Sequence, residues 1–219
     1  MIIGKTKSNI GWEIENQYEI LSQIIGYLAE HYQDEALDLE KEVDKIYNNF
    51  SDSDYETFSN ETQGLGEELD KRFAYSYEAR KILFCAIFSY FESMLYGIIK
   101  YYKIPRGKAN QPSQLIKKIC EEYDRRSSYH LSISEDIKNT ICNKYGLLRN
   151  YYMHGLLDRG MDRLIAYVQS EESINDGFEI KDNDYLRTAL NTIKTFLESI
   201  EDAYAMKQRE NRIKEQSCL

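Results

Sequence analysis

The means for proton transfer and anion stabilisation gather in one stretch of this 219-residue chain, Arg149-Asn150-Tyr151-Tyr152-Met153-His154-Gly155. An imidazole titrates near neutral pH, so His154 is suited to giving or taking a proton. The guanidinium of Arg149 offers fixed positive charge and a planar fork of donors, which suits a crowded phosphate. Asn150 can orient the imidazole or bind an anionic oxygen. Asn150 and His154, four residues apart, share a helical face. Arg149 is five from His154 and diverges from it by about 140°, but its long side chain reaches the same space. The structural alternative is a surface Arg followed by a helix-terminal His stabilised by the dipole.

Arg125 and His130 repeat the same spacing, so spacing alone does not choose between the two pairs. Their surroundings do. Arg125 to Ser132 reads as a polar, Ser-rich loop without apolar framing, whereas Arg149 and His154 close an amphipathic helix. His31, among polar neighbours, reads as a surface residue. Glu92 is a carboxylate inside an apolar helix, where an unpaired charge is costly. It is expected either to pair with Arg149 or a Tyr hydroxyl, or to face outward.

The elements that must position these groups are helical. From Ile10 to Phe50 apolar residues step by three or four, the period of a helix face. As one rod this stretch would run about 60 Å, beyond the roughly 45 Å span of a compact domain of this length. Residues 1–50 therefore form either a long helix that projects or a helical pair, with a kink or break near Gln33-Asp34 the favoured expectation. Ser51 to Gly66 reads as an acidic connection, and residues 67–204 as the core bundle. In that bundle, Glu67 to Tyr102 forms a long helix with Leu83, Ile87, Phe91, Met94 and Ile98 inward. A shorter helix starts near Pro112. Ser132-Ile133-Ser134-Glu135 has the spacing of a capping box for the motif helix, which Gly155 ends. Residues 164–180 change period and predict a short β-hairpin. A last helix begins near Asp184, and residues 207–219 read as a charged, frayed tail. The fold class is thus all-α, a single domain with four to five main helices.

Composition agrees with this and narrows the chemistry. Two prolines and 11 glycines leave long stretches without a breaker. Nineteen tyrosines predict half-buried faces with packed rings and wet hydroxyls. Cys85, Cys120, Cys142 and Cys218 form no CxxC pair and no metal-type spacing with His, so neither a metal nor another cofactor is expected. This cysteine usage, with no apolar leader, points to the cytoplasm and no membrane. Net charge is −9, against a non-specific nucleic-acid binder. Residues 100–163 nevertheless hold 13 Lys and Arg against 7 Asp and Glu, while the remainder holds 15 against 30.

Leu148-Arg149-Asn150-Tyr151-Tyr152-Met153-His154-Gly155, late in an all-helical chain, resembles the signature of the HEPN superfamily. Phe88-Ser89-Tyr90-Phe91-Glu92-Ser93-Met94-Leu95 is similar to that family's core helix with its lone acidic residue. The resemblance covers Phe73 to Tyr204 and implies a HEPN-like bundle that forms a homodimer and so brings two Arg/His motifs together. It further implies a metal-independent endoribonuclease acting on intracellular RNA, as a toxin or phage-defence effector. Arg149, His154 and Asn150 would be catalytic, with Glu92, Tyr151 and Tyr152 in support and Lys144, Arg159 and Arg163 on the RNA. An antitoxin or defence-system protein would be a partner. Some family toxins carry a Tyr two residues after the His, where a partner nucleotidyltransferase modifies it; here the position is Leu156, which speaks against that control. The alternative is a non-catalytic helical module binding a partner protein or a nucleotide.

Overall fold

Apolar residues at helical spacing make helices of nearly all that the computed structural model describes: residues 8–48, 55–126, 131, 133–155 and 160–217. In chain order these are α1 (Asn9–Asn48), α2 (Tyr55–Tyr101), α3 (Pro112–Arg126), α4 (Glu135–Asn139), a π-helical segment (Thr140–Tyr145), α5 (Gly146–His154), α6 (Met161–Gln169) and α7 (Asn183–Ser217). α4, the π segment and α5 run on without interruption. Counted as one, they join α1, α2, α3 and α7 as five main helices, with α6 a short sixth.

α2 is the axis of the packing and touches α1, α3, α5 and α7. Its residues Phe84, Ile87, Phe91, Leu95 and Ile98 are completely buried. Phe91 meets Phe196 of α7 edge-on at 5.8 Å and Phe88 at 5.6 Å. By length and composition, part of α2 is apolar enough to cross a membrane, but more than half of that part is buried in the bundle. It is a core helix.

Tyrosines brace the helices from within. The buried ones do not leave their hydroxyls wet but spend them on neighbouring backbone or on each other, while Tyr27 and Tyr75 stay exposed as the sequence suggested. Tyr90 of α2 donates to the Ile14 carbonyl of α1 at 3.0 Å. Tyr204 of α7 donates to the Ile119 carbonyl of α3 at 2.6 Å. Tyr167 and Tyr185 bond to each other at 2.6 Å. Each such bond satisfies a group that burial would otherwise penalise. Buried Glu201 is placed by the same logic. Its carboxylate lies against Gly11 in the first turn of α1, where the helix dipole favours negative charge, and Tyr102 donates to it at 3.4 Å.

Several sequence expectations give way here. α1 does not break at Gln33-Asp34, and α2 starts at Tyr55 rather than after Gly66. The two errors have one cause. The outer half of each helix is the other's partner, with Arg72 of α2 paired to Glu35 of α1 and, at 3.0 Å, to Glu68. His31 and Glu35 also straddle the expected break at 3.5 Å. Residues 164–180 form no hairpin. Leu164, Tyr167 and Val168 face the core at helical spacing within α6, and a single antiparallel bridge joins Ile174 to Ile180. A short apolar run fits either period, so tertiary packing decided. The tail stays helical to Ser217, helped by Lys207 and Glu210 at 3.6 Å. The cap of α4 is Ser134, whose side chain accepts from the Ile137 amide at 3.5 Å. Ser132 lies outside the described residues. Arg125 belongs to the last turn of α3, not to a loop, and His130 is outside the described residues.

Two outcomes follow for stability. A Cβ added at Gly97 would lie 2.6 Å from Ile10 Cδ1, so α1 and α2 approach too closely for a methyl. Gly97→Ala should cost about 1–2 kcal/mol by overpacking, despite its better helix propensity. In an Ile10→Val background, which removes that Cδ1 and leaves the nearest atom at 3.8 Å, the same change should stabilise by up to about 1 kcal/mol. Urea midpoints of the four proteins measure the coupling. The second outcome concerns pH. Hydrogen bonds from Arg125 and then Arg126 hold the buried Glu122 carboxyl down at about 2. A carboxyl held lower in the folded chain stabilises it above the ordinary carboxylate range, and that contribution is lost as pH falls through about 2. The wild-type urea midpoint should therefore fall more steeply between pH 5 and pH 2 than that of Glu122→Gln.

Candidate functional site

The motif helix is aimed by its π-helical start. Ile137, Ile141 and Tyr145 are spaced by four, and at 100° per residue each such step drifts about 40° around an ideal α-helix. The wider π turn absorbs the drift, with the Gly146 amide reaching back five residues to the Ile141 carbonyl. Ile141, Tyr145 and Leu148 are then all buried together. Gly155 ends α5 with φ 75°, a conformation that favours glycine, and its amide donates to the Tyr151 carbonyl at 2.8 Å.

This aim turns Arg149 toward α2. Its Nη2 lies 3.5 Å from Glu92 Oε2, its Nη1 donates to Asn150 Oδ1 at 3.2 Å, and its guanidinium sits over the Phe88 ring at 5.9 Å. The Arg149 and Glu92 side chains are 22% and 29% exposed, so the pair is half sunk into the bundle. Arg149 Nε is fully buried and has no hydrogen-bond partner. A guanidinium carries five donors, and this one rests incompletely satisfied.

Arg149, Asn150 and Glu92 open on a cleft of about 310 Å³. Phe88 joins Glu92 from α2, Asn110 to Ser113 come from the turn into α3, and Cys142 and Asn143 come from the π segment. Burial pushes the Cys142 thiol up to about 11, so it is a neutral wall group rather than a nucleophile. On the other flank of α5, a second cleft of about 250 Å³ is lined by Lys81, Tyr151, Tyr152, Gly155 and Phe178 among others. Tyr152 donates to the Phe178 carbonyl at 2.7 Å, and burial raises its pKa far above the ordinary phenol value. Tyr151 packs on the Phe178 ring at 4.6 Å. Phe178 has φ 64°, a strained backbone for this residue, and the two tyrosines hold it there.

The structure thus brings together Glu92, Arg149 and Asn150, as the lone carboxylate in an apolar helix suggested. His154 is exposed at the end of α5 and lines neither cleft. Asn150 Oδ1 is engaged by Arg149. Tyr151 and Tyr152 anchor the turn around Phe178. Lys144 lies over the Tyr167 ring at 5.4 Å, and Arg163 lies beside Gly160; neither lines the Arg149 cleft. Arg159 and Leu156 are outside the described residues. The sequence reading missed Gln111 and Asn143. Asn143 stands seven residues, two helical turns, before Asn150, a signal that was there to find. Gln111 joins only through tertiary structure. No group of three or more His, Cys, Asp and Glu placed to hold a metal ion occurs among the described residues.

Family models, curated proteins and solved structures were all compared with the chain. None matches.

The tie between α5 and the Phe178 turn is testable. Tyr152→Phe leaves the Phe178 carbonyl without its donor and should cost about 1–2 kcal/mol in urea unfolding. Tyr151→Phe, which keeps the ring contact, should change the midpoint little.

Proposed function

We propose that this protein is a metal-independent endoribonuclease of HEPN-like architecture, acting as a homodimer in the cytoplasm as a toxin or phage-defence effector. The observation that carries this reading is the state of Arg149. A guanidinium held at the edge of an open cleft by one carboxylate and one carboxamide, with a buried donor unpaired, is poised for an anion. The non-bridging oxygens of a phosphodiester carry a full negative charge, which a planar guanidinium takes with paired, charge-assisted donors.

The chemistry follows from the groups present. The RNA's own 2′-hydroxyl attacks the adjacent phosphorus and gives its proton to the His154 imidazole of one protomer. Arg149 stabilises the extra negative charge on the pentacoordinate phosphorus. The bond from phosphorus to the 5′-oxygen breaks, and the leaving oxygen takes a proton from the imidazolium of the other protomer. The products are a 2′,3′-cyclic phosphate and a 5′-hydroxyl. One motif holds a single His, so base and acid both require a second copy across a two-fold axis. The exposed end of α5, where Met153 is 54% exposed beside His154, supports such a contact.

A second reading, a non-catalytic module docking a partner protein, has its own support. Trp12, Ile20, Ile24 and Tyr27 fall within about 120° on one face of α1, and Trp12 and Tyr27 are 65% and 70% exposed.

Incubation of the purified protein with total RNA separates the two. Cleavage should survive EDTA, yield cyclic-phosphate ends, and fall by about 10²–10⁴-fold in Arg149→Ala and in His154→Ala. His31→Ala, whose imidazole pairs with Glu35 on α1, should cut normally. Light scattering should show a dimer at micromolar concentration. A wild-type protein that leaves RNA intact ends the nuclease reading and favours a non-catalytic binding module.

A further inference from the structure

The Arg149 cleft has wall chemistry that phosphate binding alone does not use. The carboxamides of Gln111, Asn143 and Asn150 line one small space. Each sets a donor beside an acceptor, the pattern that nucleobase edges present. Phe88 adds an aromatic ring and Glu92 an acceptor-only carboxylate, engaged with Arg149 through Oε2. The cleft's 310 Å³ is at the small end of ligand pockets, enough for one nucleotide and too little for a duplex. Its walls are braced. The Tyr96 hydroxyl donates to the Asn110 carbonyl at 3.2 Å, and Asn143 donates to Asn139 Oδ1 at 3.1 Å.

We infer that this cleft is a nucleobase subsite, which takes the base of single-stranded RNA next to the phosphate held by Arg149 and favours bases bearing an exocyclic amino group over uracil. The inference deepens the ribonuclease reading and rests on it. Adenine, guanine and cytosine each carry an amino group that donates to a carboxylate. Uracil's one pairing-edge donor, N3–H, is flanked by two carbonyl oxygens, so presenting it to Glu92 also brings those oxygens against the carboxylate, which repels them. Carboxamides read the remaining donor and acceptor positions and so fix the base in the register that sets its amino group against Glu92; without Gln111 and Asn143 that register, and with it the selection, is lost.

Two arms test this. In the first, wild type and the Gln111→Ala/Asn143→Ala double variant cut a randomised single-stranded RNA pool, and the cut ends are sequenced. Wild type should select against uracil by roughly fivefold or more at one fixed position beside the cut, about the effect of a single base-edge contact. The double variant should flatten that selection. In the second arm, 5′-AMP, GMP, CMP and UMP are titrated separately into ¹⁵N-labelled His154→Ala protein. The three amino-bearing nucleotides should shift the Asn143 and Asn150 amide signals at concentrations severalfold below UMP, and the double variant should lose the difference. RNA cleavage without base selection, or with selection that the double variant keeps, overturns the subsite and leaves the nuclease reading standing. If wild type cuts no RNA, the nuclease reading fails and the second arm alone decides: selective shifts in the cleft support the subsite, and equal shifts or none overturn it.

Discussion

A carboxylate cannot sit alone in an apolar helix, and much of the site follows from that. Between Arg80 and Tyr101, α2 carries one acidic residue, Glu92, and its neighbours are among the most buried in the chain. With 29% of its side chain exposed, Glu92 is only partly desolvated, but an unpaired charge there is still penalised, and the cation that meets it comes from an adjacent helix. α5 supplies Arg149. The π-helical start and the buried Ile141, Tyr145 and Leu148 set the rotation of α5, the pair reinforces it, and that rotation decides where Asn150 and the end of the helix point. A requirement of the core has thereby become the geometry of a surface cleft.

The same economy appears in the tyrosines. A helical bundle rich in Leu and Ile alone has few directional contacts, and its helices can slide or rotate at small cost. Here hydroxyls on α2 and α7 reach specific backbone oxygens on α1 and α3. Such bonds add modest net stability, but they penalise any register in which the donor is left buried and unpaired. The Tyr90 brace ties α1 to the element that also carries Glu92, and the Tyr204 brace ties α7 to α3.

Most of the helices were legible in the sequence, because steps of three and four over long stretches admit no other period. The Glu92–Arg149 contact was also legible, since burial of a charge names its own remedy. What failed did so for physical reasons. Leu164 to Val168 is too short for its period to distinguish helix from strand, and the core beneath it decided. Outer α1 looked too long to stay one rod and the start of α2 looked too polar to be helical, and neither sequence segment announces that the other lies alongside it. The cleft escaped because Gln111 meets Arg149 only after separate segments have packed, which no local pattern encodes; Asn143, seven residues before Asn150, was the part within reach of the sequence.

The π-helical segment gives the site an unusual dependence on chain length. An α-helix converts to a π turn by taking in one residue, and loses the turn by giving one up. Removal of a single residue between Thr140 and Tyr145 would let the backbone close into a regular helix, rotating everything downstream by about 100°. Arg149 would then leave α2, Leu148 would leave the core, and the carboxamide wall would come apart while every side chain kept its chemistry. Among descendants of this sequence, single-residue insertions and deletions in that short window would therefore be purged far more strongly than substitutions, and the length of the window would outlast its letters.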